Sequence, residues 1–375
     1  MIAMKILHVI PSFGLGGMEK VICSIINHTF RQYQHIILSL DGDDRALRWI
    51  RTNDIQQIAF SKDAKFSLFL KRLYKEIKSL SPDLLMTYNW GATDAIWIGR
   101  MAGVKNIIHH EHGFSIEEAH MTALKRDIGR FIMYRMVSSL VTVSSNLGAS
   151  IQKKYWLLDK HVKIIPNGID TSHYSPDSHV RLWMRKELHF DEEDFVIVFS
   201  GRLDPVKNFE LLLEVFEYCY KADRTVKLLI VGDGQERQKI EQICMQKNIH
   251  TGLVMVGQRF EVLPYLRAGD VFLLTSLTEQ MPLTILEAMS VGLPVIASDV
   301  GEIRKIIDDG KDGFLRNIRD GCEGFATALL RLKRSSDWQT MSHAARSKIV
   351  VGFQETMMVR CYQTLIDSLL GQHGP

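Results

Sequence analysis

The sequence predicts an α/β protein built from two doubly wound, parallel-sheet domains. Three observations predict it. Short β-branched apolar runs alternate with helix-length segments along the whole chain. The chain has 375 residues, too many for one ordinary core. A Pro-, Gly-, Asn- and Ser-rich connector, "IPNGIDTSHYSPDS" at 165–178, interrupts the alternation near the middle.

In the first half, "KILHVI", "HIILSL", "DLLMTY", "NIIHH", "SLVTVS" and "VKIIP" read as strands. In the second, "FVIVFSG", "VKLLIVG", "GLVMVG", "VFLLTS" and "PVIAS" do. Such runs are apolar throughout rather than alternating, as expected of parallel strands covered by helices on both faces. Clustered turn formers place the domain boundary at the connector. The expected organisation is a first domain over 1–170, a second over 171–352 and a terminal segment, 353–375, whose "FQETMMVRCYQTLIDSLL" reads as a helix. In open parallel sheets, ligands bind beyond the carboxyl ends of the strands, where loops lead into helix N-termini. Two such domains facing each other would form a cleft lined by both sets of loops.

Composition narrows the class. Hydrophobic residues make up 46% and charged residues 24%, a globular balance that excludes a disordered chain. The five cysteines, Cys23, Cys219, Cys244, Cys322 and Cys361, show no paired spacing for a zinc site or a disulfide framework. A reducing, cytoplasmic setting is expected. No apolar stretch reaches the roughly 20 residues that span a bilayer, and the N-terminal run is too short for a signal peptide. The net charge of +3 is uneven: residues 1–170 carry 22 Lys and Arg against 15 Asp and Glu, and residues 171–375 carry 24 against 28. A basic first half suits anionic lipid, nucleic acid or a phosphorylated acceptor, and charge alone does not choose among them.

Three stretches suit an anionic ligand. After the first strand, "PSFGLGGMEK" offers Gly14, Gly16 and Gly17 ahead of a helix, where backbone can approach an anion. Glu19 occupies the last position of the dinucleotide fingerprint, so that motif fails, and a plain strand-to-helix turn remains an alternative. "SGRLDPVKN" sets Arg202 and Lys207 in a loop before a helix, a pairing that suits a pyrophosphate or, alternatively, an ordinary solvated loop. In "TEQMPLTILEAMSVGLPVIAS", Pro282 pre-sets a short helix that Gly292 and Pro294 end. Its first N–H groups, near Leu283 and Thr284, favour an anion. Glu287, one turn in, suits a ribose diol, and Glu279 lies just before the helix, next to whatever follows the phosphates.

"NIIHHEHGF" contains His109, His110, Glu111 and His112. Alternate strand residues share a face, so Glu111 points away from His110 and His112, poor geometry for a shared metal. His112, at the strand's end before Gly113, is placed to meet a substrate. Asp41 and Asp43 in "DGDD" invite Mg²⁺, but read better as a solvated loop. "KFSLFLKRLYKEIKSL", 65–80, is a basic amphipathic helix with Phe66, Phe69, Leu70, Leu73, Ile77 and Leu80 on one stripe. It packs on the sheet or docks on anionic lipid; "LKRDIGRFIMYRM", 124–136, adds further cations to that half.

Taken together, "GLGGMEK", the His112–Gly113 pair, "SGRLDPVKN", "VGDGQER" and the Glu279–Glu287 pair resemble family 4 of the retaining glycosyltransferases, over about residues 5–370. The resemblance implies the GT-B fold: two Rossmann-like domains facing across a cleft, with the terminal helix crossing back to the first. It implies metal-independent transfer from a nucleotide-sugar donor, with no further cofactor and a UDP-sugar favoured over a GDP-sugar. Arg202 and Lys207 would hold the donor diphosphate, Glu287 the ribose and Glu279 the transferred sugar. Gly16 and Gly17 would approach the phosphates, His112 would lie by sugar and acceptor, and Gly257, Gln258 and Arg259 would shelve the base. Gln280 departs from the family, which often has glycine after the first glutamate. The acceptor expected is a glycan or lipid-linked glycan in polysaccharide or glycoconjugate synthesis. An anionic membrane surface, met through the first domain at the inner face, is a further expected partner; nucleic acid is not. A nucleotide-sugar epimerase of the same fold and a non-catalytic nucleotide-sugar-binding protein are the alternatives.

Overall fold

The computed structural model describes residues 4–60, 65–113, 124–334 and 338–371. The chain divides into two compact units, one of residues 1–167 with 356–375, the other of 168–355.

Unit 1 holds a seven-stranded sheet. Its strands are β1 (Met4–Ile10), β2 (Tyr33–Ser39), β3 (Gln56–Ala59), β4 (Leu84–Tyr88), β5 (Asn106–Glu111), β6 (Ser139–Thr142) and β7 (Val162–Ile164). They run parallel in the order β3-β2-β1-β4-β5-β6-β7. The reversal of winding direction lies beside β1, the switch point of a doubly wound sheet. Leu7, Val9, Leu38, Leu85 and Ile107 pack on one face with Phe69, Leu73 and Ile77 of α2 (Phe66–Leu80), Ile96 of α3 (Asp94–Ala102), Tyr134 of α4 (Leu124–Met136) and Ile151 of α5 (Ser145–Tyr155). The stripe expected on α2 is thus buried at its centre, but Phe66 is 62% exposed. It begins the helix and stacks on Phe69 rather than entering the core.

Unit 2 holds β8 (Phe195–Ser200), β9 (Val226–Val231), β10 (Leu253–Gly257), β11 (Val271–Leu274), β12 (Val295–Ser298) and β13 (Gly313–Arg316). The order is β10-β9-β8-β11-β12-β13, again all parallel. Its first helices are α6 (Ser178–Glu187), α7 (Phe209–Ala222), α8 (Arg237–Gln246), α9 (Leu263–Ala268) and α10 (Leu283–Ser290). The last are the single turn α11 (Ile303–Ile306), α12 (Gly321–Arg334) and α13 (Trp338–Gly352). α7 packs with α12, α6 with α9, and α10 with α13. β8 and β11 are buried at every position, which is why their sequences lack a polar alternation.

Two edge strands, β3 ("QQIA") and β13 ("GFLR"), are additions to the strands read from sequence. The terminal helix α14 (Glu355–Leu370) returns to unit 1. There Tyr33 donates to Asp367, and the Tyr362 ring lies 5.5 Å from that of His110. All five cysteines are free thiols. Among the described residues, no helix is long and apolar enough to cross a membrane.

Candidate active site

The carboxyl-end loops of the unit 2 sheet are tied together by backbone hydrogen bonds. Leu203 N–H donates to Asp233 O at 2.9 Å, and Leu203 O accepts from Glu236 N–H. Leu277 N–H donates to Val206 O at 2.8 Å, and Gly232 N–H to Gly257 O at 2.9 Å. This lattice needs glycine at close approaches. A Cβ on Gly232 would stand 1.8 Å from Gly201 O, and one on Gly301 would stand 1.6 Å from Glu279 O. Gly301 also has φ +58, a conformation that disfavours other residues.

Within that frame, Asp204 caps the 3-10 turn Pro205–Lys207, and Asn208 caps α7. The Thr275 hydroxyl donates to Lys207 O at 3.0 Å, fixing the lysine's backbone. Lys207 Nζ then lies 2.5 Å from Glu279 Oε1, which also accepts from Ser276 Oγ at 2.8 Å. Both members of the pair are largely buried. Arg202 is different: its side chain is 81% exposed, with only a 3.9 Å approach to Asp204. The two cations of the motif therefore differ, one held in an ion pair and one exposed.

α10 starts from Pro282, which has an extended conformation and stands as the N-cap rather than the first helical residue. Leu283 and Thr284 form the first turn. The Thr284 hydroxyl is buried without a hydrogen-bond partner among the described residues. Glu287 is 2% exposed, and Tyr174 Oη donates to its Oε1 at 3.1 Å. Burial and then the Glu287 charge push the Tyr174 phenol well above its usual range, so it remains a donor. Gly257, at φ +74, closes β10; Gln258 and Arg259 beyond it are exposed, and the Arg259 guanidinium lies 5.7 Å from the Tyr265 ring.

In unit 1, Gly16 is the N-cap of α1 (Gly17–Thr29), with φ −155. The Glu19 carboxylate reaches back to Gly16, where a Cβ would meet it at 2.3 Å. Glu19 thus already lies at the positive end of α1, the place an anion would take. His112 follows β5, and its N–H donates to Asn89 Oδ1 at 2.9 Å. Asn89 itself has φ 53 and donates its N–H to His110 O at 2.7 Å. Burial lowers the His112 pKa to about 4, leaving a neutral ring at neutral pH. Its Nε2 is buried with no hydrogen-bond partner among the described residues.

Behind His112 the histidines are structural. His8 bridges Tyr88 Oη and His35 Nδ1, each at 2.9 Å, and His35 Nε2 meets Thr29 Oγ1 at 2.9 Å. Glu111 points to the other side, accepting from Tyr134 Oη at 2.6 Å with Arg130 3.8 Å away. Asp43 is bound by Arg45 at 2.7 Å, and Asp41 accepts from Ser39 and from the Asp43 N–H. Among the described residues no group of three or more His, Cys, Asp or Glu is arranged to hold a metal ion.

The residues missed in the sequence are Ser276, Tyr174, Asn89 and Gly301. Only Gly301 had a local signal, "DVGE" directly after an apolar strand.

The second of the two parallel sheets thus carries the Lys207–Glu279 ion pair and the N-terminus of α10 on its carboxyl-end loops. Residues 15–173 match the family described as Glycosyltransferase Family 4, and residues 194–335 match Glycosyl transferases group 1. The UDP-Gal:α-D-GlcNAc-diphosphoundecaprenol α-1,3-galactosyltransferase of Escherichia coli is 30% identical over 305 residues, covering 80% of this chain and 78% of that protein. The N-acetyl-α-D-glucosaminyl L-malate synthase of Bacillus anthracis is 27% identical over 212 residues, covering 56% and 55%. Among solved structures, HepE of Anabaena in complex with UDP-glucose aligns with a TM-score of 0.84 at 19% identity, covering 97% of this chain and all of that one. The lipopolysaccharide-biosynthesis glycosyltransferase WaaG aligns at 0.77 with 16% identity, covering 98% of this chain and 100% of that chain. At those identities the structural likeness shows the fold, GT-B.

The chain belongs to glycosyltransferase family 4. It is a glycosyltransferase, and the comparisons favour sugar transfer over epimerisation or bare binding.

Proposed function

We propose that the protein transfers a sugar, with retention at the anomeric carbon, from a UDP-sugar to a lipid-linked glycan acceptor. One observation carries the reading: Lys207, Glu279, Ser276 and the first turn of α10 converge on the same carboxyl-end loops, with Glu287 one turn further in. The UDP-Gal donor and diphosphoundecaprenol acceptor named for the E. coli relative support this choice of donor base and acceptor, as do the UDP complexes of HepE for the base.

In this reading the donor diphosphate is bound by Lys207, by Arg202 swinging in from solvent and by the N–H groups of Leu283 and Thr284, with the Thr284 hydroxyl gaining a partner. Glu287, oriented by Tyr174, accepts from the ribose hydroxyls. Gly257, Gln258 and Arg259 flank the base. Glu279 keeps Oε1 on Lys207 and Ser276 and offers Oε2 to a sugar hydroxyl. The acceptor hydroxyl attacks the anomeric carbon from the face the diphosphate leaves. The C–O bond to phosphate breaks as its electrons pass to UDP, and a donor phosphate oxygen takes the acceptor's proton. Lys207, held in place before the donor arrives, and the α10 amides stabilise the departing charge, with Arg202 joining them, the role a metal would otherwise fill. Gly16, Gly17 and the Nε2 of His112 are proposed as unit 1's contacts to substrate, with Glu19 displaced from Gly16 when an anion arrives. Association is with the inner membrane surface, where a lipid-linked acceptor resides.

Thermal unfolding with UDP, GDP, ADP and CMP and their sugars tests the donor. At about 100 times its dissociation constant a ligand stabilises by roughly 2.7 kcal/mol. The reading expects UDP ligands to stand out, and turnover to persist in a chelator. A GDP response would overturn the donor, and loss of turnover in chelator would return Asp41 and Asp43 to consideration as metal ligands.

A further inference from the structure

The surface of unit 1 around α4 exposes several large apolar side chains close together in sequence. Leu124, Ile128, Phe131 and Ile132 recur at helical spacing on α4 and are 74, 51, 36 and 49% exposed. The same helix buries Arg130 and Tyr134. Its outward stripe is apolar and its inward stripe partly polar, the inverse of a helix that merely covers a sheet. Trp156, the left-handed C-cap of α5, is 78% exposed, and its ring stands edge-on to Phe131 at 6.1 Å. Leu158 follows it, 61% exposed.

Cations surround these side chains. Between 124 and 164 the chain has eight Lys and Arg against two acids, Asp127 and Asp159. Lys125, Arg135, Lys153, Lys154, Lys160 and Lys163 are exposed. The Arg135 guanidinium lies 3.6 Å from the Phe131 ring centre and donates to Tyr155 O at 2.7 Å, so cation and rings form one patch. Asp127 is already engaged by Lys154 at 2.8 Å. The basic helix α2 lacks this combination, because its central apolar residues Phe69, Leu73 and Ile77 face the core.

We propose that α4 and the Trp156–Leu158 turn enter the headgroup region of an anionic lipid bilayer. Trp, Phe and Ile settle at the boundary between headgroups and acyl chains while Lys and Arg meet lipid phosphates. Charge selects this occupant over a second copy of the chain. A two-fold interface would set the patch against itself, cations facing cations. The proposal rests on the reading of a lipid-linked acceptor.

The test uses the purified full chain with vesicles of phosphatidylcholine alone and of phosphatidylcholine mixed with phosphatidylglycerol. Binding is expected to the mixed vesicles, weakening with salt, with a blue shift of tryptophan emission that Trp156→Phe removes. Ile132→Asn combined with Trp156→Ser should cut partitioning about tenfold or more. Lys71→Glu with Lys75→Glu should cut it less. Unchanged binding by the double variant, equal binding to neutral vesicles, or a dimer that the same substitutions dissolve would each overturn the proposal. UDP-ligand stabilisation is read in parallel on every variant. Stabilisation without vesicle binding sinks the docking surface alone; vesicle binding without stabilisation sinks the donor reading instead.

Discussion

Lys207 Nζ is 2.5 Å from Glu279 Oε1, joining residues 72 positions apart on the loops after β8 and β11. The two residues assigned to opposite ends of the donor are therefore one unit before any donor binds. Glu279 holds the lysine in place, and its charge must be shared once a diphosphate arrives. Substituting either partner should have different consequences. Lys207→Ala should lower kcat/KM by roughly 100- to 1,000-fold, the range for removing one preorganised charge-stabilising group. Glu279→Gln should lower kcat while leaving UDP affinity equal or tighter, because the lysine is released to the phosphates. Steady-state kinetics with UDP titration by calorimetry separates the two; a matched loss of UDP affinity in both variants would contradict the unit.

Tyr174 donates to Glu287 from 113 residues away in sequence. A hydrogen bond to a charged group is worth about 1.5–3 kcal/mol. Part of that is lost from ligand binding when the carboxylate is no longer oriented. Tyr174→Phe should weaken UDP binding about 5- to 20-fold. Free phosphate or diphosphate competition should be unaffected, because only the ribose contact changes. Equal weakening for pyrophosphate would show a general collapse of the loops.

Gly301→Ala should be costly although it adds only a methyl group. Its φ of +58 and the 1.6 Å approach to Glu279 O leave no room for a methyl group. The backbone carrying Glu279 and Gln280 must shift, at roughly 1–3 kcal/mol of local strain. Chemical denaturation should show that loss, and sugar discrimination should change more than UDP affinity. An unperturbed variant would mean the loop relaxes freely.

Acid should weaken unit 1 through its histidines. Burial lowers His35 and His112 to about 4, and His8 and His110 well below their ordinary value. Groups facing them are Tyr88, Tyr362 and each other, with Glu111 acting on His112 in the opposite sense. A histidine whose folded pKa is depressed takes up its proton more readily unfolded. Its stabilisation is present above about 6.5 and is lost as pH falls towards 4. Denaturation midpoints followed by near-UV circular dichroism should drop steadily from pH 6.5 to 5. A flat profile there would contradict the neutral histidine layer.

What was legible in the sequence tracks locality. Strands such as "VKLLIV" and "FVIVFS" announce themselves because both faces are covered. β3 and β13 do not: each is only four residues long and polar at one end, "QQIA" opening on two glutamines and "GFLR" ending on an arginine. Phe66 fits the apolar period of α2, yet the first turn of a helix can project past the sheet it covers. Arg202, Lys207, Glu279 and Glu287 stand out as motif residues, while the Lys207–Glu279 and Tyr174–Glu287 pairings exist only through the tertiary fold. Asn89 was hidden for another reason: a positive-φ asparagine after β4 has no composition signal until His112 is seen bonded to it.

The central claim is retaining transfer from a UDP-sugar. The most direct measurement incubates the protein with a UDP-α-sugar, first UDP-galactose, and a short-chain lipid diphosphate carrying GlcNAc. The anomeric configuration of the new linkage is then read by NMR. The account predicts an α-linked product appearing with one equivalent of UDP, and its loss in Lys207→Ala. A β-linked product, or transfer from a GDP-sugar in preference, would contradict it.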